Sequence, residues 1–415
     1  MKPRLFTMLL MVLTARSVSL AQKAPPPPPA PSSGNPGNSS PIPMPGPNID
    51  YNSVQRLIEQ ERMNTPEPAA KPSSVLGIEK TLADNRQTGD GKLAAILTGL
   101  TLTERANAAR LSRWNSRAPG PQTRQVLLAL ADGSTFLPLP AEDVPAMPAP
   151  SLAEQRRMID AFAKFLGRNL PGLPNFRATR LTTYFEDRPP RQLPLSTDPA
   201  ESDPLRNRPL HVVGTSTIKV AYVEGHEVTE RNSGFEDANL YASRFTTAGE
   251  FGPILYGVMM DATQNKLAWA RWESSADGPL AVFHFDATKD KSHYSLKPQG
   301  AAKLQNQFVA YRGEIAIGPS DGAIVWLSVV ASPSSDDTIA AADIAVEYGR
   351  VEIGQRFYTC PVHGVALSKV PLSPARAAKQ NQPVQLQTQL NDVSFQQFHI
   401  FRGDAHITQE TTAQP

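Results

Sequence analysis

The sequence predicts an α+β protein in which an antiparallel β-sheet packs with one strongly amphipathic helix, behind a helical portion and a disordered Pro-rich N-terminus. Three observations carry that class. Beyond residue 175, runs rich in β-branched and aromatic residues alternate apolar with polar and follow one another through short Gly- and Asp-containing turns. Such a succession favours antiparallel neighbours, because parallel strands need crossover helices. Residues 151–167, SLAEQRRMIDAFAKFLG, set their large apolar side chains on one helical face. Fifteen of the 40 prolines lie at or before Pro72, and between residues 22 and 50 large apolar side chains are few, so that tract cannot bury enough surface to order itself.

The first segment, residues 1–21, reads as a cleavable export signal: Lys2 and Arg4, an apolar run from Leu5 to Leu13, then Ser19, Leu20 and Ala21 before Gln22. The apolar run is too short for a bilayer that needs about 20 residues, and Arg16 interrupts it. A buried N-terminal helix is the alternative, but the following tract offers it nothing to pack on. The mature chain is therefore expected to be exported, periplasmic or secreted, with no transmembrane segment after cleavage. Residues 22–50 form a polyproline-II spacer or, alternatively, a ligand for an aromatic groove in a partner. Cys360 is the only cysteine, so no internal disulfide is available and the fold must rest on its core. Up to Arg168 there are 19 Lys and Arg against 13 Asp and Glu, and beyond it 22 against 26. Neither part clusters enough cation to read phosphates, which argues against a nucleic-acid partner.

Residues 51–150 form a helical portion with flexible stretches. Val54, Leu57 and Ile58 stand at helical spacing, and Thr101 with Glu104 has the pattern of a capping box. Pro121 suits a first helical turn, and Val126, Leu127, Leu130 and Ala131 share one face behind it. Asp132 and Gly133 then end that helix or turn a hairpin; the periodicity favours the helix. The domain proper spans residues 151–408, followed by a disordered tail, residues 409–415. Its helix opens with a capping box, Ser151 and Glu154, presents Met158, Ile159, Phe162, Phe165 and Leu166, and is expected to stop at a left-handed Gly167.

A strand follows from Phe176 to Phe185, then a polar loop from Arg188 to Pro209. GTSTIKVAYVEGHEVTE gives strands about a turn at Glu224 and Gly225, and KLAWARWESSADGPLAVFHFDAT gives two about Asp277 and Gly278. YRGEIAIGPSDGAIVWLSVVA, residues 311–331, is a hairpin in which Pro319 presets its dihedral, Asp321 bonds its own backbone and Gly322 takes the left-handed conformation. A further hairpin turns at Gly354 and Gln355, and NDVSFQQFHIFRGDAHI supplies the last strand or pair. Among these strands, Pro253 opens a short helix carrying Ile254, Leu255, Val258 and Met259.

The segments LPNFRATRLTTYFED, TTAGEFGPILYG, GEIAIGPSDGAIVWLSV and ADIAVEYGRVEIGQRFYTCPV resemble a family of uncharacterised exported bacterial proteins, with the likeness running from about Leu97 to Ile407. The order of elements is also similar to the periplasmic lipoprotein-carrier and envelope-stress-regulator fold. That second resemblance implies a strongly curved antiparallel sheet, wrapped like an unclosed barrel around a helix, with an apolar interior that takes acyl chains. It rests on topology, and function belongs to sites rather than folds.

Motifs for a nucleophile elbow, an HExxH zinc pair, a phosphate loop and a dinucleotide fingerprint are missing. No catalytic residue, metal ligand or cofactor is assigned. Cys360 and His363 have ligand spacing without a second pair, and the thiol reads as inert packing. His284 and Asp286 share a strand face and are the starting point for a competing hydrolase reading, although polar residues on a wet sheet face are the ordinary case. The aromatics Trp269, Trp272, Phe283, Phe285 and Trp326 are core residues in one reading. In the other, Trp269, Phe283 and Trp326 line an apolar cavity with Leu255 and Met259 of the inserted helix. The expected function is non-catalytic binding in the envelope, of a hydrophobic ligand or an envelope protein, with an acyl chain as one candidate. A structural or regulatory module that adds a partner strand at the sheet edge is the other alternative.

Overall fold

The computed structural model describes residues 69–169, 172–187, 207–223, 226–229, 257–258, 261, 267–296, 307–333, 340–372 and 385–400. The export signal, the Pro-rich spacer, the segment at Val54 and the tail lie outside them. So do Leu255 and Met259; of the inserted helix, Gly257, Val258 and Asp261 are described and helical.

The helical portion begins with β1 (Lys71–Ser73) and continues through α1 (Val75–Asp84), α2 (Asp90–Thr98), β2 (Leu100–Leu102), α3 (Ala108–Arg117) and α4 (Pro121–Gly133). The two short strands pair in parallel. Helix starts are satisfied by side chains: the Ser74 hydroxyl accepts the Gly77 N–H at 3.0 Å, and the Asn107 amide oxygen accepts that of Arg110 at 2.9 Å. Asp90 of α2 caps α4 across the fold, taking the Gln122 and Thr123 N–H groups at 3.0 and 2.9 Å. Thr101 and Glu104 do not form the expected capping box. Thr101 is in β2, and the Glu104 carboxylate instead accepts the Val75 N–H at 2.7 Å, so a tertiary contact takes the acceptor that the local pattern offered. Apolar faces meet in one cluster that includes Ile78, Leu93, Leu97, Trp114 and Leu127. Buried Arg110 ties α1 to the 3-10 turn at Ala141–Asp143, with Glu79, Glu142 and Asp143 at 3.0, 3.2 and 2.7 Å.

Helix α5 (Leu152–Asn169) starts at the capping box read from sequence: Ser151 N–H donates to Glu154 at 2.8 Å, and Glu154 N–H to the Ser151 hydroxyl at 3.3 Å. Gly167 does not stop it. The helix runs on to Asn169, whose side-chain amide donates to the Phe165 carbonyl at 3.0 Å.

The alternating runs then form β3 (Phe176–Glu186), β4 (His211–Val223), β5 (His226–Thr229), β6 (Ala268–Ser275), β7 (Gly278–Ala287), β8 (Ser295–Leu296), β9 (Gln307–Phe308), β10 (Ala310–Ile317), β11 (Ile324–Ser332), β12 (Ala341–Ile353), β13 (Arg356–Leu372) and β14 (Gln385–Ile400). Apart from the short pair β8 and β9, they make one ten-stranded sheet in the order β5-β4-β3-β14-β13-β12-β11-β10-β7-β6, every neighbour antiparallel. The sheet is not closed into a barrel; β5 and β6 are its edges. The β10–β11 turn is built as the sequence implies: Asp321 accepts the Ala323 N–H at 3.0 Å, and Gly322 sits at φ +71°. Gly354 and Gln355 turn the β12–β13 hairpin at φ 57° and 67°.

Register sorts the two faces. Ile315 pairs with Phe283 and Leu327, and Leu327 with Val346, so these share a face, and Phe162 and Leu166 of α5 pack on it. Val365 pairs with Asp392 and Leu390 with Phe185 on the other face, where Ala129 of α4 packs. The sheet is thus covered on both sides, by α5 on one and the helical portion on the other. Between the two layers the chain passes edge strand β6, where Trp272 Nε1 donates to the Pro148 carbonyl at 2.9 Å. Among the described residues no helix is long and apolar enough to cross a membrane.

Candidate functional site

Helix α4 lies on the sheet, and two features sit along that seam. The first is a cavity of about 190 Å³. Its walls include Leu100, Leu102, Val126, Leu130, Phe136 and Leu210, while Arg208, Asp343, Lys369 and Thr388 supply its polar side. Beside it the buried carboxylate of Asp187 accepts the Thr388 N–H at 2.8 Å. Burial pushes the Asp187 carboxyl up to about 6, against the opposing pull of that hydrogen bond and of the Arg208 and Lys369 charges. Asp343 is likewise raised to about 6 by burial, opposed by the Ala331 N–H and by Arg312 and Lys369.

A carboxyl whose pKa is raised on folding binds its proton more tightly in the native state. Its contribution to stability is therefore present below the unfolded value near 4 and is lost as pH rises through about 6. At about 1.4 kcal/mol per unit, Asp187 accounts for about 2 to 3 kcal/mol across that window. In urea titrations at pH 4 and pH 7.5, Asp187→Asn is expected to shrink the wild-type loss of stability by that amount. An unchanged pH difference would refute the assignment.

The second feature is a polar cluster one apolar layer away. Asp132 faces inward from the last turn of α4, His363 comes from β13 and Asp392 from β14, and one donor atom from each lies within 4.8 Å of the others. His363 Nε2 is 2.7 Å from Asp392 Oδ1, and its Nδ1 is 3.4 Å from Glu347 of β12. Asp132 is 3% exposed, and its Oδ2 has no hydrogen-bond partner. Burial, and then the Asp392 and Glu347 carboxylates, hold the Asp132 carboxyl well above its usual range, with His363 pulling the other way. Burial alone would lower the His363 imidazole, but its hydrogen bonds to Asp392 and Glu347 outweigh that and raise it. Glu347 is lowered: burial works against this, and the contact with His363 prevails.

The aromatic residues chosen from sequence divide between the two faces. Trp269 contacts Phe283 edge-on at 5.6 Å and Trp272 at 4.9 Å, within the core beneath α5. Trp326 is on the opposite face, under the guanidinium of Arg105 at 4.7 Å, and Arg105 in turn pairs with Glu273 at 2.5 Å. One cavity cannot be lined by all three. His284 and Asp286 share a face as expected and are exposed to solvent. Cys360 is buried among Phe176, Tyr222 and Val393, and burial raises its thiol to about 12.

A third group joins Asp261, His293 and Tyr311. The buried Asp261 carboxylate accepts the Tyr311 hydroxyl at 2.5 Å and the His293 N–H at 2.9 Å, and also meets His293 Nδ1. Both of its oxygens are engaged, tying β10 to the segment at His293.

Sequence reading passed over Asp132, treating it only as a helix end or a hairpin turn. The signal was its position next to Leu130 and Ala131 at the end of an apolar stripe, since aspartate is almost never fully buried unless paired. No protein-family model, no curated protein and no solved structure matches this chain.

Proposed function

We propose that this chain is an exported, non-catalytic binding protein of the cell envelope that takes a small amphipathic anion into the cavity between α4 and the sheet. The observation that carries the reading is the cavity's make-up: apolar walls on one side, and on the other Arg208 and Lys369 together with Asp343 and Thr388. Apolar walls reward burial of hydrocarbon, and a polar side whose two cations face one carboxylate orients an acidic head. Volume sets the scale. A cavity of roughly 150 Å³ takes a benzene-sized molecule and drug-sized ligands need about 300 Å³ or more, so 190 Å³ suits the end of an acyl chain or a short one. The export-signal pattern of residues 1–21 supports an envelope setting for this reading. The curled sheet of the lipoprotein-carrier likeness belongs to the same proposal, supported by α5 packing against side chains from β7 and from β10 through β13.

Titration with octanoate, followed by calorimetry, tests it. Wild type is expected to bind one equivalent saturably. Leu210→Trp, which fills the cavity from its rim, should weaken binding at least tenfold with the unfolding midpoint unchanged. Equal affinity in the two proteins, or no saturable binding, would remove the reading.

A further inference from the structure

We propose that Asp132, His363 and Asp392 form a binding site for one zinc ion that clamps helix α4 to the sheet. The ligand set is a neutral imidazole and two carboxylates, donors suited to zinc, with ligand bonds of about 2.0–2.2 Å. Tetrahedral zinc needs donor atoms about 3.4 Å apart, so the His363–Asp392 pair at 2.7 Å has to open by about 0.7 Å while the other separations, all within 4.8 Å, close by at most about 1.4 Å.

Two independent observations point to a ligand. Asp132 brings a carboxylate oxygen with no hydrogen-bond partner to the cluster from a residue only 3% exposed. A bare carboxylate there, facing two more acids and a single imidazole, carries charge that a proton or a cation must offset. The second is Glu347, against Nδ1 of the imidazole whose Nε2 faces Asp392. A carboxylate on the far nitrogen is the arrangement that fixes the tautomer of a metal-binding histidine and raises its basicity. Two members of the cluster reach solvent: side-chain exposure is 14% at Asp392, 27% at His363 and 46% at Glu347. Three carboxylates against one imidazole also leave the cluster acidic enough to draw in a divalent cation.

The competing occupant is a proton on Asp132. Chelator-treated full-length protein is titrated with zinc against a competing indicator dye, with bound metal counted by mass spectrometry. One equivalent is expected to bind. Magnesium should fail, because it demands octahedral oxygen ligands and keeps its waters. Asp132→Asn and His363→Gln should each lose at least 100-fold in affinity, Glu347→Gln about 10- to 100-fold, and exposed His284→Gln nothing. Asp132→Asn is nearly isosteric and removes a buried charge, so it carries the test if His363→Gln fails to fold. Absence of stoichiometric zinc in wild type, or the same affinity in Asp132→Asn, overturns the proposal and leaves the proton as occupant. The octanoate titration is separate, since Leu210 is not a ligand.

Discussion

Gly322→Ala is expected to destabilise the protein by about 2–5 kcal/mol. Two terms add. The residue sits at φ +71°, where a side chain costs about 1–2 kcal/mol. A methyl group at that position would also overlap the backbone of α5 at Ala161 and Phe162, lying 2.6 Å from the Ala161 carbonyl oxygen. Backbone cannot rotate away as a side chain does, and overpacking of this kind adds roughly 1–3 kcal/mol. The hairpin tip is therefore the seat of the helix as well as a turn. Urea unfolding checks the magnitude, and hydrogen exchange checks the location: amides of α5 should lose protection before those of α4. A loss below about 1 kcal/mol would show that the helix is not seated there.

Trp114→Ala is expected to cost about 3–5 kcal/mol, the usual range for emptying a fully buried aromatic site. Trp114 is the largest side chain in the core shared by α1 through α4, and its indole N–H has no hydrogen-bond partner. Removing that donor while keeping a ring should be mild, so Trp114→Phe is expected to cost below about 1.5 kcal/mol. The contrast matters for function, because this core holds α4 among the other helices and thereby positions the α4 wall of the cavity and Asp132. Loss of octanoate binding in Trp114→Ala, with binding kept in Trp114→Phe, is the expected pattern. Similar unfolding free energies for the two variants would mean the helical layer contributes little.

Much of the fold was legible because its signals are local. Alternation names strands, the Pro319 to Gly322 tetrad names its turn, and Ser151 with Glu154 names the start of α5. Local signals also misled where a distant partner outcompeted them: Glu104 matches a cap for its own segment but is used by Val75. Gly167 could have stopped α5, yet the helix continued to Asn169.

The candidate site was not legible for a different reason. Asp132, Glu347, His363 and Asp392 come from four elements, and nothing in the spacing of one predicts the others. The sequence by itself determined the antiparallel strands, the amphipathic helix and a chain without disulfides, since these follow from residue periodicity and composition. Tertiary structure alone decided which sheet face each aromatic occupies, and that the helical portion covers the face opposite α5. Register does this: a one-residue slip would exchange the faces of a strand, and only pairing across the sheet fixes it.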